Sequence, residues 1–351
     1  MFFASDNAAA IAPDILAAMA RANEGMVLSY GRDPWTKRVE ARFAEVFEHE
    51  VAVFLVSTGT AANALALAHL TPPWGAVLCH HEAHIATDEC GAPEFYGGGI
   101  KLVGLAGEAG KIAPATLRRA LEDGQWGGPH HVCPAVLSLS QATEAGTIYR
   151  PDEMRELAEI AHAHDLAVHV DGARLGNALA RMNASLADAT WRAGVDVLSF
   201  GATKGGALAA EAVLFFDPAR GAHMSERRKR GGHLISKHRF VAAQLEAYLA
   251  GDLWLELARH ANAMADRLAA GLAAAGLVPV WPVEANEVFV ALPPRIDARL
   301  TAAGASYYRW KTDALRNGAP LPRDAALVRL VTTFATSADE VDQFVAIARA
   351  S

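Results

Sequence analysis

Residues 195–216 read VDVLSFGATKGGALAAEAVLFF, two apolar runs flanking a stretch of mostly small residues that contains a single cation, Lys204. Each run is too short for a helix and nearly free of polar residues, which predicts a pair of buried strands. Gly201, Gly205 and Gly206 lie close to the lysine. A lysine that simply ends a strand in solvent is the commoner case. Small neighbours on both sides predict space for a bulky group bonded to its amine, as Schiff-base chemistry requires.

The same rhythm runs outward on the N-terminal side. VAVFLV (51–56), AVLCH (76–80), PAVLSLS (134–140) and LAVHVD (166–171) read as further strands. GTAANALALAHL from Gly59, PATLRRALED from Pro114 and RPDEMRELAEIAHAHD, with Pro151 in its first turn, read as helices. Strands that are nearly all apolar, alternating with helices, predict a mostly parallel sheet covered on both faces, an α/β fold. After about residue 220 come two long helical stretches, SKHRFVAAQLEAYLAG, ending near Gly251, and LWLELARHANAMADRLAAGLAAAG. NEVFVAL, a helical IDARLTAAG, LVRLVTTF and a last helix from about Ser337 complete the chain. The pattern predicts a large domain over 13–250 and a smaller α/β domain made of 1–12 and 251–351.

Composition narrows the function. The 351 residues are 52% hydrophobic with a net charge of −7, enough for a large core. The densest basic run, ERRKRGG at 226–232, is short, which argues against a nucleic-acid partner. Cys79, Cys90 and Cys133 are odd in number and lack CxxC spacing, which argues against a disulfide framework or a zinc knuckle. With no basic-then-apolar leader and no apolar run of 18 residues, a cytoplasmic protein without a membrane partner is expected.

Open α/β sheets bind ligands at the carboxyl ends of their strands, and four such ends carry chemistry. Ser57-Thr58-Gly59-Thr60 joins a strand to a helix start, where backbone N–H groups, hydroxyls and a glycine suit phosphate as well as they suit a plain N-cap. It matches neither GxGxxG nor GxxxxGK[ST]. Asp171 ends a strand and could hold a cationic ring nitrogen; a salt bridge to Arg174 is the simpler alternative. Lys204 ends another. His80, His81 and His84 share one loop, where an imidazole could lie over a ring and exchange protons, whereas a metal site lacks an evident third ligand. A phosphate cradle, a strand-end acid and a strand-end lysine together match what pyridoxal 5'-phosphate asks of a protein.

In this arrangement the chain resembles the threonine aldolase family of fold-type I pyridoxal-phosphate enzymes, within the β-eliminating lyase group. The likeness is carried by FASDNAAAIAPDILAAMARAN (3–23), SYGRDPWTKRVEARFAEVF (29–47), STGTAANALAL (57–67), EAHIATDECGAP (82–93), HVDGARLGNA (169–178), SFGATKGG (199–206) and VRLVTTF (328–334), in family order. It implies a fold-type I PLP-dependent transferase-like architecture with a mostly parallel seven-stranded sheet. It also implies that Lys204 holds the cofactor covalently and Asp171 pairs with its ring nitrogen. Thr58, Gly59 and Thr60 would bind phosphate, and His84 would stack on the ring and serve, directly or through a water, as a base. Arg174, Arg329 and Ser5 would hold the substrate carboxylate, a task suited to a guanidinium fork.

Tyr30 would reach a neighbouring subunit's site, as would one cation of RRKRGGHLISKHR, with Lys237 taken for the phosphate and Lys229 and Arg230 as alternatives. The resemblance implies a homodimer or homotetramer with shared sites, no metal, and a small amino acid as partner. The activity expected is retro-aldol cleavage of L-threonine, L-allo-threonine or a related β-hydroxy-α-amino acid such as phenylserine. Another β-eliminating lyase or an aminotransferase is the near alternative, and a non-catalytic binding protein a distant one. One segment departs from the family. Where many members carry asparagine-threonine-histidine, this chain reads LSLSQATEAGTIY (137–149), with Gln141, Thr143 and Glu144 and no histidine.

Overall fold

A computed structural model describes residues 1–182, 184–310, 321 and 324–349. Its main sheet has seven strands: β1 (Ala52–Val56), β2 (Gly75–His80), β3 (Lys101–Leu105), β6 (Cys133–Ser140), β7 (Ala167–Gly172), β8 (Val197–Gly201) and β9 (Glu211–Phe215). Between β3 and β6, β4 (Gly107–Glu108) and β5 (Lys111–Ile112) form a small separate ribbon. The order across the main sheet is β1-β9-β8-β7-β6-β2-β3. Strands β8, β7, β6, β2 and β3 run parallel, and β9 is antiparallel to both of its neighbours. The two apolar runs of residues 195–216 are thus neighbouring antiparallel strands, with Gly201 opposite Glu211.

Six of these strands follow the apolar runs of the sequence. The seventh, β3, has no such run: KLVGL lies at the sheet edge with Lys101 and Gly104 exposed, so it carries neither continuous apolarity nor clean alternation. On one face of the sheet lies α3 (Gly59–Leu70), buried along its length from Ala61 to Ala68. A helix surrounded by protein has no use for a polar face, which makes Asn63 within it a position with a specific partner.

Helices α1 (Pro13–Ala22), α2 (Pro34–Val46), α4 (His84–Thr87), α5 (Ala92–Tyr96), α6 (Pro114–Asp123), α7 (Pro151–Ala163), α8 (Leu175–Arg181) and α9 (Met224–Arg230) complete the first part of the chain. Then α10 (Arg239–Leu249) turns into α11 (Leu253–Ala273) through Gly251, whose φ of 57° is the left-handed conformation that glycine adopts without strain. A second core lies beyond this turn. The antiparallel sheet β10 (Glu287–Leu292), β12 (Ala326–Val331) and β11 (Tyr308–Arg309) packs with α11, α12 (Pro294–Ala302) and α13 (Ala338–Arg349). Phe3 belongs to this core, edge-on to Phe344 at 5.1 Å, so the N-terminal segment is anchored beside the C-terminal sheet. Among the described residues no helix is long and apolar enough to cross a membrane.

Candidate active site

A cleft of about 800 Å³ opens at the carboxyl ends of β2, β6, β7 and β8, beside the N-terminus of α3. Its lining includes Ser5, Thr58, Gly59, Thr60, His84, Asp171, Arg174, Lys204 and Arg329, nine positions that the sequence leaves up to 324 residues apart. Tyr30 and Lys237 do not line it. Tyr30 instead donates its N–H to the Ser236 carbonyl at 3.0 Å and lies 4.7 Å beneath Lys229 Nζ, so the Tyr30 loop and the basic segment are packed together.

The α3 end is built as an anion cradle. Thr58 caps it, Oγ1 accepting the Ala61 N–H at 3.1 Å, while the N–H groups of Gly59 and Thr60 have no acceptor among the described residues. A Cβ on Gly59 would meet only open space, so the backbone there is accessible to a ligand.

Asp171 is buried at the end of β7. Its Oδ1 accepts the Ala173 N–H at 3.0 Å and its Oδ2 accepts from the Asn63 amide at 2.8 Å. The bond to Arg174 foreseen as the simpler alternative is absent: Arg174 turns to Asp6, Nε to Oδ2 at 2.7 Å and Nη2 to Oδ1 at 3.1 Å. Burial opposes ionisation of Asp171, but the charges of His84 and Lys204 and the two donors outweigh it and hold its carboxyl below the usual range. This is the state that can pair with a protonated ring nitrogen.

His84 opens α4 with its Nδ1 2.8 Å from Glu89 Oε1. That hydrogen bond raises the imidazole's affinity for its proton against the opposing effect of burial. Burial likewise pushes the Glu89 carboxyl up, so the pair holds a proton more firmly than either group would in water. His84, Glu89 and Asp171 come within 4.8 Å of one another, a spacing a metal could use. Asn63 Nδ2 points at both carboxylates, however, 2.9 Å from Glu89 and 2.8 Å from Asp171. One amide thus bridges the two carboxylates, Asp171 Oδ2 and Glu89 Oε1, without a cation between those atoms.

Lys204 lies in the turn after β8. The small residues around it have a different cause from the one expected. A Cβ on Gly201 would stand 2.8 Å from Ala173 Cα, and one on Gly205 would fall on Tyr248 Oη and 2.8 Å from its Cζ. These glycines let the turn press against β7 and α10. The open space is above the lysine, in the cleft.

The carboxylate end is an ion network. Glu287, buried at the start of β10, lies 3.4 Å from Arg174 and 3.5 Å from Arg329, while Arg329 stacks on Trp310 at 4.6 Å. Asn286 donates to Asp6 Oδ2 at 3.1 Å, and Ser5 Oγ accepts the Asn7 N–H at 3.2 Å. In the departing segment, Gln141 is turned inward to the backbone of Tyr149, and Thr143 bonds Thr147. Only Ser140, Ala142 and Glu144 from it line the cleft. Asn63, Glu89, Asp6, Glu287 and Glu211 went unassigned from sequence. Two of them carried a signal there, Asn63 as the amide inside an apolar helix and Glu287 as an acid opening an apolar strand.

Comparison with known proteins agrees with this geometry. The model of the family described as beta-eliminating lyase matches residues 3–293. A low specificity L-threonine aldolase of Pseudomonas aeruginosa is 44% identical over 341 residues, covering 93% of this chain and 97% of that protein. The chain belongs to the β-eliminating lyase family, in its threonine aldolase branch. The solved threonine aldolase of Leishmania major superposes with a TM-score of 0.91 at 30% identity, covering 99% of this chain and 98% of that one. A serine palmitoyltransferase of Sphingomonas wittichii, 18% identical with a TM-score of 0.71 over 99% of this chain and 86% of that one, shares the fold. As a β-eliminating lyase the chain is a fold-type I lyase whose cofactor is pyridoxal 5'-phosphate. The unpartnered N–H groups at α3, the ionised Asp171 and the cleft-facing Lys204 fit that group.

Proposed function

We propose that this lyase cleaves the Cα–Cβ bond of L-threonine, L-allo-threonine or a related β-hydroxy-α-amino acid such as phenylserine, giving glycine and an aldehyde. The observation that carries the reading is the convergence of Lys204, Asp171 and the Gly59–Thr60 cradle on one cleft, beside the paired arginines Arg174 and Arg329. The name of the Pseudomonas aeruginosa relative supports the choice of reaction.

Pyridoxal phosphate supplies an electron-poor ring that makes bonds at an amino acid's α-carbon easier to break. The chain's residues divide the remaining work. Lys204 would hold the cofactor covalently through its amine. Gly59 and Thr60 N–H, with Thr58, would hold its phosphate; Asp171 would keep its ring nitrogen protonated; and His84, held by Glu89, would lie against its ring. Arg174 and Arg329, with Ser5, orient the carboxylate so that the Cα–Cβ bond is the one aligned for cleavage. In this division residues 13–250 bind the cofactor, and the small domain of 1–12 and 251–351 adds Ser5 and Arg329 over it.

The same reading makes the protein a cytoplasmic homodimer or homotetramer. Met26, Val27, Leu28 and Tyr30 are exposed beside one another, an apolar strip suited to burial against another copy, where Tyr30 and Lys237 would complete the neighbour's site. Purified protein given L-threonine is expected to form glycine and acetaldehyde in equal amounts. Pyruvate or an amino-transfer product in their place would instead mark a β-eliminating lyase in the narrow sense or an aminotransferase.

A further inference from the structure

Two acids of the cleft, Glu89 and Glu144, each hold two partners on one oxygen and leave the other buried without one; the Glu89 side chain is fully enclosed, whereas Glu144 is partly exposed and lines the cleft. In Glu144, Oε1 is saturated: Ser140 Oγ donates to it at 2.6 Å and the His84 N–H at 2.9 Å. Oε2 is buried and has no hydrogen-bond partner. Those two donors fix the side chain, because the strand end that carries Ser140 and the first residue of α4 both grip it. A buried carboxylate oxygen without a donor is costly, so the site is built for a donor that arrives with a ligand.

The ligand side of the cleft narrows which donor this is. Arg174 and Arg329 lie with Asp6 and Glu287 at the end of the cleft assigned to the substrate carboxylate, and His84 Nδ1 is bonded to Glu89. A substrate hydroxyl meets the requirement, since it can donate to Oε2 and then lose that proton. Burial, opposed by the Ser140 and His84 donors, pushes the Glu144 carboxyl up to about 6, close to what a base working near neutrality needs. The charged and titratable groups facing it are Asp171 from β7, His84 from α4, Cys79 from β2 and Tyr149.

We propose that Glu144, through Oε2, is the base that takes the proton from the substrate's β-hydroxyl. The assignment rests on the retro-aldol reading above. As the O–H proton passes to Oε2, the oxygen's electron pair forms the aldehyde carbonyl and the Cα–Cβ bond breaks. Its electron pair stays with the α-carbon, which takes up a proton to become glycine. Glu144 then returns its proton to solvent.

The test uses the loaded protein and Glu144→Gln, which keeps an acceptor for Ser140 and His84 but cannot take a proton. Exchange of the α-hydrogen of glycine in D₂O requires chemistry at Cα and no β-oxygen. The variant is expected to retain cofactor and to exchange glycine within about tenfold of wild type, while threonine cleavage falls by ~10²-fold or more. In cofactor-free protein, infrared difference spectra should show a carboxyl titrating at about 6 that is missing from the variant. A variant that cleaves as fast as wild type, or that loses exchange together with cleavage, overturns the assignment; so does a wild type with no such carboxyl band. A wild type that exchanges glycine but cleaves no β-hydroxy amino acid overturns the retro-aldol reading itself.

Discussion

Asn63 Nδ2 lies 2.8 Å from Asp171 Oδ2 and 2.9 Å from Glu89 Oε1, so one amide on the buried face of α3 joins the strand-end aspartate to the partner of His84. Without it two carboxylates face each other across a dry gap, and Asp171 loses part of what keeps it ionised. Asn63→Ala should weaken cofactor binding by about 10- to 100-fold, the range for losing a hydrogen bond to a charged group. Titration of the cofactor-free variant with pyridoxal phosphate measures this, and an unchanged affinity would contradict the role of the pair.

Lys204 offers a covalent test. After borohydride reduction of the loaded protein and digestion, the cofactor should be found on the peptide that contains Lys204 and on no other. Lys204→Ala should give no labelled peptide, and its turnover should fall by at least ~10²-fold. Label on a different lysine would displace Lys204 from the site.

The turn that carries Lys204 depends on Tyr248, which is buried behind it. Gly205→Ala places a methyl group against that phenol, and overpacking of this kind costs about 1–3 kcal/mol. Tyr248→Phe removes the hydroxyl that the methyl would strike. The double variant should therefore be more stable than the sum of the two single changes requires, as measured by urea unfolding.

Glu211 is buried opposite Gly201, with its Oε2 near the lysine turn. Burial pushes its carboxyl up to about 7, with Asp171 adding to the push and Thr203 and Lys204 opposing it. A carboxyl raised in the folded state binds more protons there than in the unfolded chain. Its contribution is thus neutral below the ordinary value near 4.5 and turns unfavourable as pH climbs to about 7. Glu211→Gln should stabilise the cofactor-free protein by on the order of 2–3 kcal/mol above that window, with the gain vanishing at its acid end. Melting temperatures across pH check this, and a gain independent of pH would argue against it.

Much of the site could be read along the chain because its parts are local. An apolar run that stops at Asp171 or just before Lys204 states both a buried strand and the residue at its end, and the Thr58–Gly59–Thr60 turn states a helix start. Strand β3 escaped that reading, since an edge strand with Lys101 and Gly104 has little to bury and so carries no pattern. The glycines near Lys204 look along the chain like cofactor space, yet Gly201 meets Ala173, Gly205 meets Tyr248 and Gly206 meets Ala12, all of which approach from other segments. Partners across the fold were equally silent: Asp6 meets Arg174 from 168 residues away, and Glu144 grips the start of α4 from the end of a neighbouring strand. Periodicity and end residues express whether a segment is buried and where it stops. Which side chains then share a charge or a proton depends on strand order and on how the N-terminal segment lies beside β10, and those are properties of packing between distant segments.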